Sequence, residues 1–199
     1  MENKTKKSQS ISKKRADRRS ERRRQRIRTG ITIGVVALVV LAAVVALFIN
    51  NAEQPIEGVV AYPGLEQGHV ETPVTYEQSP PVGGPHNPAW QNCGVYPTPI
   101  ANENGVHSLE HGAVWITYQP DLPAADVQAL QTLARQGSFR LLTPYPDLPS
   151  PIVISAWGYQ LQLEQADDPR LASFIENYEQ SPRAPEPGAP CTGGLGQPG

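Results

Sequence analysis

The sequence contains few of the residues that support redox or soft-metal chemistry. It has two cysteines, Cys93 and Cys191, and a single methionine, Met1, in 199 residues. No Cys-x-x-Cys motif is present, which argues against thiol–disulfide exchange. A thioether site for Cu(I) is excluded because it requires methionines within the folded part of the chain. The two cysteines are predicted to form a disulfide, with a metal-binding thiolate at Cys93 as the alternative.

Positive charge is scarce outside the first 30 residues. Residues 1–30 hold 13 of the 17 Lys and Arg and three acids, giving 13 − 3 = +10. The remaining residues hold four Arg, no Lys and 16 acids, giving 4 − 16 = −12. This asymmetry predicts two compartments for the two parts of the chain. The basic arm has no aromatic residue for base stacking, so anionic lipid headgroups of the inner leaflet are the expected partner and nucleic acid is not.

Charged residues are also absent from residues 31–49, an apolar run of 19 residues. A helix of that length spans the roughly 30 Å hydrocarbon core of a bilayer. The basic arm before it predicts a cytoplasmic N-terminus, hence a single-pass protein of the cell membrane with an extracytoplasmic C-terminal domain. The alternative is a cleaved signal peptide, but the run exceeds the usual apolar core and residues 50–52 match a cleavage site poorly.

Composition along the chain predicts five segments. The first is a basic, disordered cytoplasmic arm that precedes the transmembrane helix, and its charge density is too high for a packed core. The C-terminal segment is expected to be loose apart from its cysteine. The predicted order is arm 1–30, transmembrane helix 31–49, linker 50–67, globular domain 68–180, and a Pro/Gly-rich tail 181–199 tied by Cys191.

Regular secondary structure is predicted mainly after His111, from hydrophobic periodicity and capping residues. A short edge strand is also expected over residues 59–62. The resulting β-α-β-β-β-α order predicts a small α/β or α+β domain, with two helices packed on the sheet behind an ordered Pro/Gly-rich loop region. The predicted strands are 113–118, 138–142, 152–157 and 159–163, and the predicted helices are 122–136 and 168–178.

Histidines are few and clustered. All four, His69, His86, His107 and His111, lie within 43 residues. The i, i+4 spacing of His107 and His111 would direct both imidazoles to one metal on a helical turn, and Glu110 or His86 could complete the set. Neutral imidazoles suit Zn(II), Cu(II), Ni(II) or Fe. A binding domain that holds a divalent metal, Zn or Cu, through His86, His107, Glu110 and His111 is therefore predicted, with purely structural histidines as the alternative.

Catalytic signals are weak, so no catalytic residue is predicted and a non-enzymatic role is favoured. His107-x-x-Glu110-His111 matches the H-x-x-E-H pattern of one class of zinc protease, in which both histidines lie on a helix. A metal-dependent hydrolase is therefore a distant alternative. Ser108 adjoins His107, but no Gly-x-Ser-x-Gly elbow accompanies it.

A non-catalytic function is the second main hypothesis. The loop over residues 79–97 carries Trp90 and Tyr96 among its prolines and glycines. These aromatic side chains predict a ligand groove that would contact an unidentified protein or other component of the cell envelope.

Several of these motifs together resemble one protein family. They comprise Pro80-Pro81-Val82-Gly83-Gly84-Pro85-His86, then Trp90, Gly94-Val95-Tyr96 and His107-Ser108-Leu109-Glu110-His111-Gly112. With these motifs the sequence is similar to the bacterial domain-of-unknown-function 3105 family, whose members are typically membrane-anchored. The resemblance spans roughly His69 to Cys191, including Ala156-Trp157-Gly158. It implies the domain limits and the membrane anchor, and it implies no activity.

Overall fold

The computed structural model describes residues 33–45 and 55–199. The chain forms two compact units, Met1–Glu53 and Gln54–Gly199. In the first unit a helix, α1, covers residues 33–45. The predicted disordered arm of residues 1–30 lies outside the described residues.

The predicted membrane-spanning helix is not found. Among the residues that the structure describes, no helix is long and apolar enough to cross a membrane. The predicted transmembrane helix and the single-pass location in the cell membrane are therefore wrong for the described residues. Residues 31, 32 and 46–49 of the predicted span lie outside them.

The described residues form four helices and six strands, and all six strands belong to one mixed sheet. The order across the sheet is β1-β6-β5-β3-β4-β2. Strands β2 and β3 run parallel to β4, whereas the other neighbouring pairs are antiparallel. After α1 the elements are β1 Val60–Ala61, β2 Gly94–Val95, α2 Asn102–Glu110, β3 Val114–Tyr118, α3 Ala124–Arg135, β4 Arg140–Pro144, β5 Ile152–Ala156, β6 Tyr159–Leu163 and α4 Pro169–Tyr178.

The sheet is covered on both faces because its central strands are apolar on both sides. Successive side chains of a strand point to opposite faces, and all five residues of β3 are buried. Val114 and Ile116 pack in one core with residues of α3 and α4. Trp115 packs in a second core with Val106 and Leu109 of α2. Helix α2 therefore lies on the opposite face from α3 and α4.

The predicted fold class needs correction. The described structure is an α+β fold with a mixed six-stranded sheet and four helices, not a small sheet with two helices and a transmembrane helix. The strands and helices predicted after His111 coincide with β3 to β6, α3 and α4 to within a few residues at each end. Strand β2 and helix α2 were not predicted. Strand β2 has two residues, too few to show alternation, and α2 contains Asn102, Asn104 and Gly105, which are poor helix formers.

The tail after Ser181 is more ordered than its composition indicates. The backbone amide of Leu195 donates to the carbonyl of Trp90 at 2.8 Å, and that of Gly199 donates to the carbonyl of Val95 at 2.9 Å. The tail thus packs along the loop that precedes β2 and along β2 itself.

Candidate metal centre

Helix α2 supplies two of the candidate ligands. His107 and Glu110 are three residues apart and so share one face of the helix. Val106 and Leu109 occupy the other face, where they pack in the core against Trp115. Both polar side chains are nonetheless almost fully buried, because a loop covers their face of the helix.

That loop is the Pro/Gly-rich segment before β2, and it supplies His86. His86 is fully buried and forms a parallel β-bridge with His69. The bridge has two backbone hydrogen bonds, in which Val70 N donates to His86 O at 2.7 Å and His86 N to Gly68 O at 2.9 Å. Partners in a parallel bridge project to the same side, so His69 and His86 both face α2.

Four of these side chains converge on one point. The ligand atoms of His69, His86, His107 and Glu110 all lie within 4.8 Å of one another. Glu110 Oε2 is at the centre of the group, 2.9 Å from His86 Nε2, 3.6 Å from His69 Nε2 and 3.9 Å from His107 Nε2. Three imidazoles and one carboxylate form a donor set suited to Zn, Cu, Ni or Fe.

Backbone carbonyls fix the orientation of the buried rings. His86 Nδ1 donates to Gly84 O at 2.8 Å, and His107 Nδ1 donates to Asn87 O at 2.7 Å. A carbonyl oxygen can only accept, so each Nδ1 carries the hydrogen and a neutral ring presents the lone pair of Nε2 to the cluster. This contact from the second ring nitrogen to a carbonyl is typical of histidines that bind metals.

The arrangement brings lone pairs together. His107 Nε2 lies 3.0 Å from His111 Nε2, and the Nδ1 of His111 is likewise bound, to Pro190 O at 2.7 Å. His86 Nε2 faces the carboxylate of Glu110 at 2.9 Å. Lone pairs at these distances repel unless a proton or a metal cation lies between them. The cluster is therefore built to hold positive charge.

The environment also favours an unprotonated ligand at His107. Burial lowers the pKa of His107, and the hydrogen bond to Asn87 only partly opposes this effect. The neighbouring rings of His111 and His86 lower the pKa further, while Glu110 raises it. A neutral imidazole is the form that coordinates a metal.

The structure separates the four sequence-predicted ligands into two groups. His86, His107 and Glu110 lie in the convergent cluster, and His69, which was not in the predicted ligand set, completes it. His111 is outside this group of four. Its Nε2 contacts His107 and lies 3.9 Å from Glu186 Oε2. Metal binding by any of these residues stays a prediction.

The two residues of the predicted groove occupy different environments. The Trp90 ring lies 5.1 Å from that of His111 and 5.8 Å from that of His107, so it covers the cluster. Tyr96 is buried in the core with α2, and its hydroxyl donates to Asn92 O at 2.6 Å. A ligand groove at these residues stays a prediction.

Two other residues with reactive side chains have structural contacts. The Ser108 hydroxyl is buried and donates to Gln91 O at 2.7 Å, so it is not directed at a histidine. Cys93 and Cys191 form the predicted disulfide. The disulfide excludes Cys93 as a metal thiolate in this structure.

The fold and the site together define the class of protein: an α+β domain with a largely buried cluster of histidines and a glutamate. The chain belongs to the family described as Protein of unknown function (DUF3105), whose model matches residues 69–193. This range includes the four convergent side chains and both cysteines. No curated protein and no solved structure matches the chain.

Proposed function

We propose that this protein is a metal-binding module that holds one divalent cation, Zn(II) or Cu(II), through His69, His86, His107 and Glu110. The observation that carries the proposal is the convergence of four ligand atoms within 4.8 Å. Two of these imidazoles have Nε2 directed at the carboxylate by Nδ1 contacts to carbonyls.

The spacing of the side chains suits a small cation. Four ligands 2.0–2.2 Å from one tetrahedral ion lie about 3.3–3.6 Å from each other. The Glu110 oxygen is 2.9, 3.6 and 3.9 Å from the three imidazole nitrogens. Separations within the group reach up to 4.8 Å, so the most widely spaced ligands would move about 1 Å closer on binding a tetrahedral ion. The helix and the bridged loop already hold the ligands in place, so binding requires little ordering.

The test is metal content and affinity of the full chain after removal and re-addition of Zn(II) or Cu(II). One equivalent is expected in the wild type. Glu110→Gln is expected to lower affinity by more than about 100-fold, since removing a direct ligand costs more than the 10–100-fold loss typical of an outer-shell partner. Glu176→Gln, at an exposed residue of α4, is the matched control and should leave affinity unchanged. A wild type that binds neither metal would refute the proposal and favour a non-catalytic interaction module.

One observation favours a second function, a metal-dependent hydrolase. Helix α2 contains His107 and Glu110 and has His111 as its C-cap, and Glu186 lies 3.9 Å from His111. In this arrangement His107, His111 and Glu186 would bind the metal and Glu110 would activate water. The first proposal is preferred because the Glu186 side chain is 60% exposed, whereas Glu110 lies at the centre of the histidine cluster. Loss of metal in Glu186→Gln would reverse this preference.

A further inference from the structure

His69 differs from the other three candidate ligands in its exposure. Its side chain is 49% exposed, against 0% for His86, 5% for His107 and 6% for Glu110. Residues 66–68 before it are also exposed. The cluster is therefore closed by protein on the side of α2 and the loop of His86, and it meets solvent at His69.

His69 also differs in how its ring is held. The Nδ1 atoms of His86 and His107 donate to backbone carbonyls. Within residues 55–199, the structure shows no such partner for His69 Nδ1. Its ring is positioned by stacking on His107, with centroids 4.8 Å apart and planes 17° apart. An imidazole without an outer-shell partner lacks a contribution of about 10–100-fold in metal affinity, which makes His69 the most weakly held of the four ligands.

The charge of the centre determines what could replace His69. A divalent cation with one carboxylate and neutral imidazoles has a net charge of +1. No Lys occurs after residue 14, and a bound metal would add a positive charge where the cluster meets solvent. A small anion that enters from solvent is attracted to such a centre, and it can bind a metal directly when one coordination position is open.

We infer that the centre is of the open type: His69 is a displaceable ligand, and a small monodentate anion binds the metal in its place. The inference rests on the proposed metal site and adds the ligand class that the site accepts. His86, His107 and Glu110 are the permanent ligands. Displacement requires only that the exposed ring of His69 turn away from His107 into solvent.

The experiment uses the full chain loaded with Co(II), whose visible absorption reports coordination, and azide as the anion. Because His69 is exposed and its Nδ1 has no carbonyl partner, His69→Ala is expected to retain one Co(II), with a loss of affinity at least about tenfold smaller than that of Glu110→Gln. Azide should change the spectrum of this variant at a concentration at least about tenfold lower than in the wild type, because His69 no longer competes. The matched substitution His86→Ala removes a buried ligand and should abolish stoichiometric binding.

The possible results distinguish failure of the displaceable-ligand inference from failure of the proposed metal site. If the wild type binds Co(II) but azide changes neither spectrum, the centre is closed and the inference is overturned. The same holds if His69→Ala loses Co(II) as completely as His86→Ala does. His69→Gln serves as a second variant and should behave like His69→Ala if only the imidazole matters. A wild type that binds no Co(II), Zn(II) or Cu(II) overturns the metal site itself.

Discussion

The individual histidines of the candidate metal centre are expected to contribute differently to metal affinity. The clearest comparison is between His111 and His86. Its ring contacts His107, yet it lies outside the group of four convergent ligands. We therefore expect His111→Gln to lower affinity for Zn(II) by about 10–100-fold, as loss of an outer-shell contact does. His86→Gln should lower affinity by more than about 100-fold. Competition with a chromogenic chelator measures both values.

The opposite order of effects would contradict this ligand set. If His111→Gln removed the metal and His86→Gln did not, the i, i+4 pair would be the core of the site. That result would support the hydrolase arrangement with Glu186. Unfolding of the metal-free variants by urea is the necessary control, since a destabilised chain loses metal for reasons unrelated to coordination.

The sequence predicted part of this site at the residue scale. His107 and Glu110 were found because their spacing is local, and spacing within one helical turn can be read directly. His69 was included among the clustered histidines but not among the ligands. Its contact with His86 comes from a β-bridge between residues 17 positions apart, and no local pattern indicates which residues such a bridge will pair.

Helix α2 supplies two of the candidate ligands, so its position limits the geometry of the site. Gly105 allows this helix to pack closely against Trp115. A Cβ atom at Gly105 would lie 2.6 Å from Cζ3 and 2.9 Å from Cη2 of Trp115. An alanine in a helix is otherwise about 1 kcal/mol better than glycine. Here we expect Gly105→Ala to destabilise the metal-free chain by about 1–3 kcal/mol, as overpacking of a core does. Denaturation in urea provides the measurement.

A double-mutant cycle with Trp115 tests whether contact with its ring causes the destabilisation expected of Gly105→Ala. In a Trp115→Phe background the outer ring atoms are gone, so Gly105→Ala should become neutral or stabilising. The Trp115→Phe change alone should be destabilising, since it leaves a cavity and removes the hydrogen bond from Nε1 to Thr143 Oγ1 at 3.0 Å. Stabilisation by Gly105→Ala in the wild-type background would show that α2 does not pack against Trp115 as closely as described.

Elements with strong periodicity were predictable, and elements defined by tertiary contacts were not. Helices α3 and α4 follow from apolar residues such as Leu130, Ala134, Leu171 and Phe174, which recur on one helical face. Helix α2 has a weak intrinsic preference for helix, and its packing against Trp115 supplies the stability that its sequence lacks. The uncharged run of residues 31–49 is a strong sequence pattern whose prediction was wrong for the described residues. It predicted a membrane-spanning helix from hydropathy alone, and no helix among the described residues is long and apolar enough to be one.

At the scale of the whole molecule, the disulfide joins the tail to the loop that covers the histidine cluster. Cys93 and Cys191 are 98 residues apart, and the amide of Cys93 donates to the carbonyl of Cys191 at 2.8 Å. In the chain-entropy model a cross-link of this span stabilises a protein by about 4–5 kcal/mol, and loss of a native disulfide commonly costs about 2–5 kcal/mol. The four candidate ligands all lie outside the tail.

Stability and metal affinity should therefore respond differently when the disulfide is removed. We expect a Cys93→Ser/Cys191→Ser variant to lose about 2–5 kcal/mol of unfolding free energy in the metal-free state. At temperatures where it remains folded, its affinity for Zn(II) should fall by less than about tenfold, because the tail supplies none of the four convergent ligands. Its contacts near them are the Pro190 carbonyl and the Glu186 carboxylate beside His111, and the Glu186 amide that donates to the Glu110 carbonyl. Reduction of the wild type by dithiothreitol should reproduce the stability change. A loss of affinity as large as that of His86→Gln would mean that the tail, and not α2 with the bridged loop, holds the ligands together.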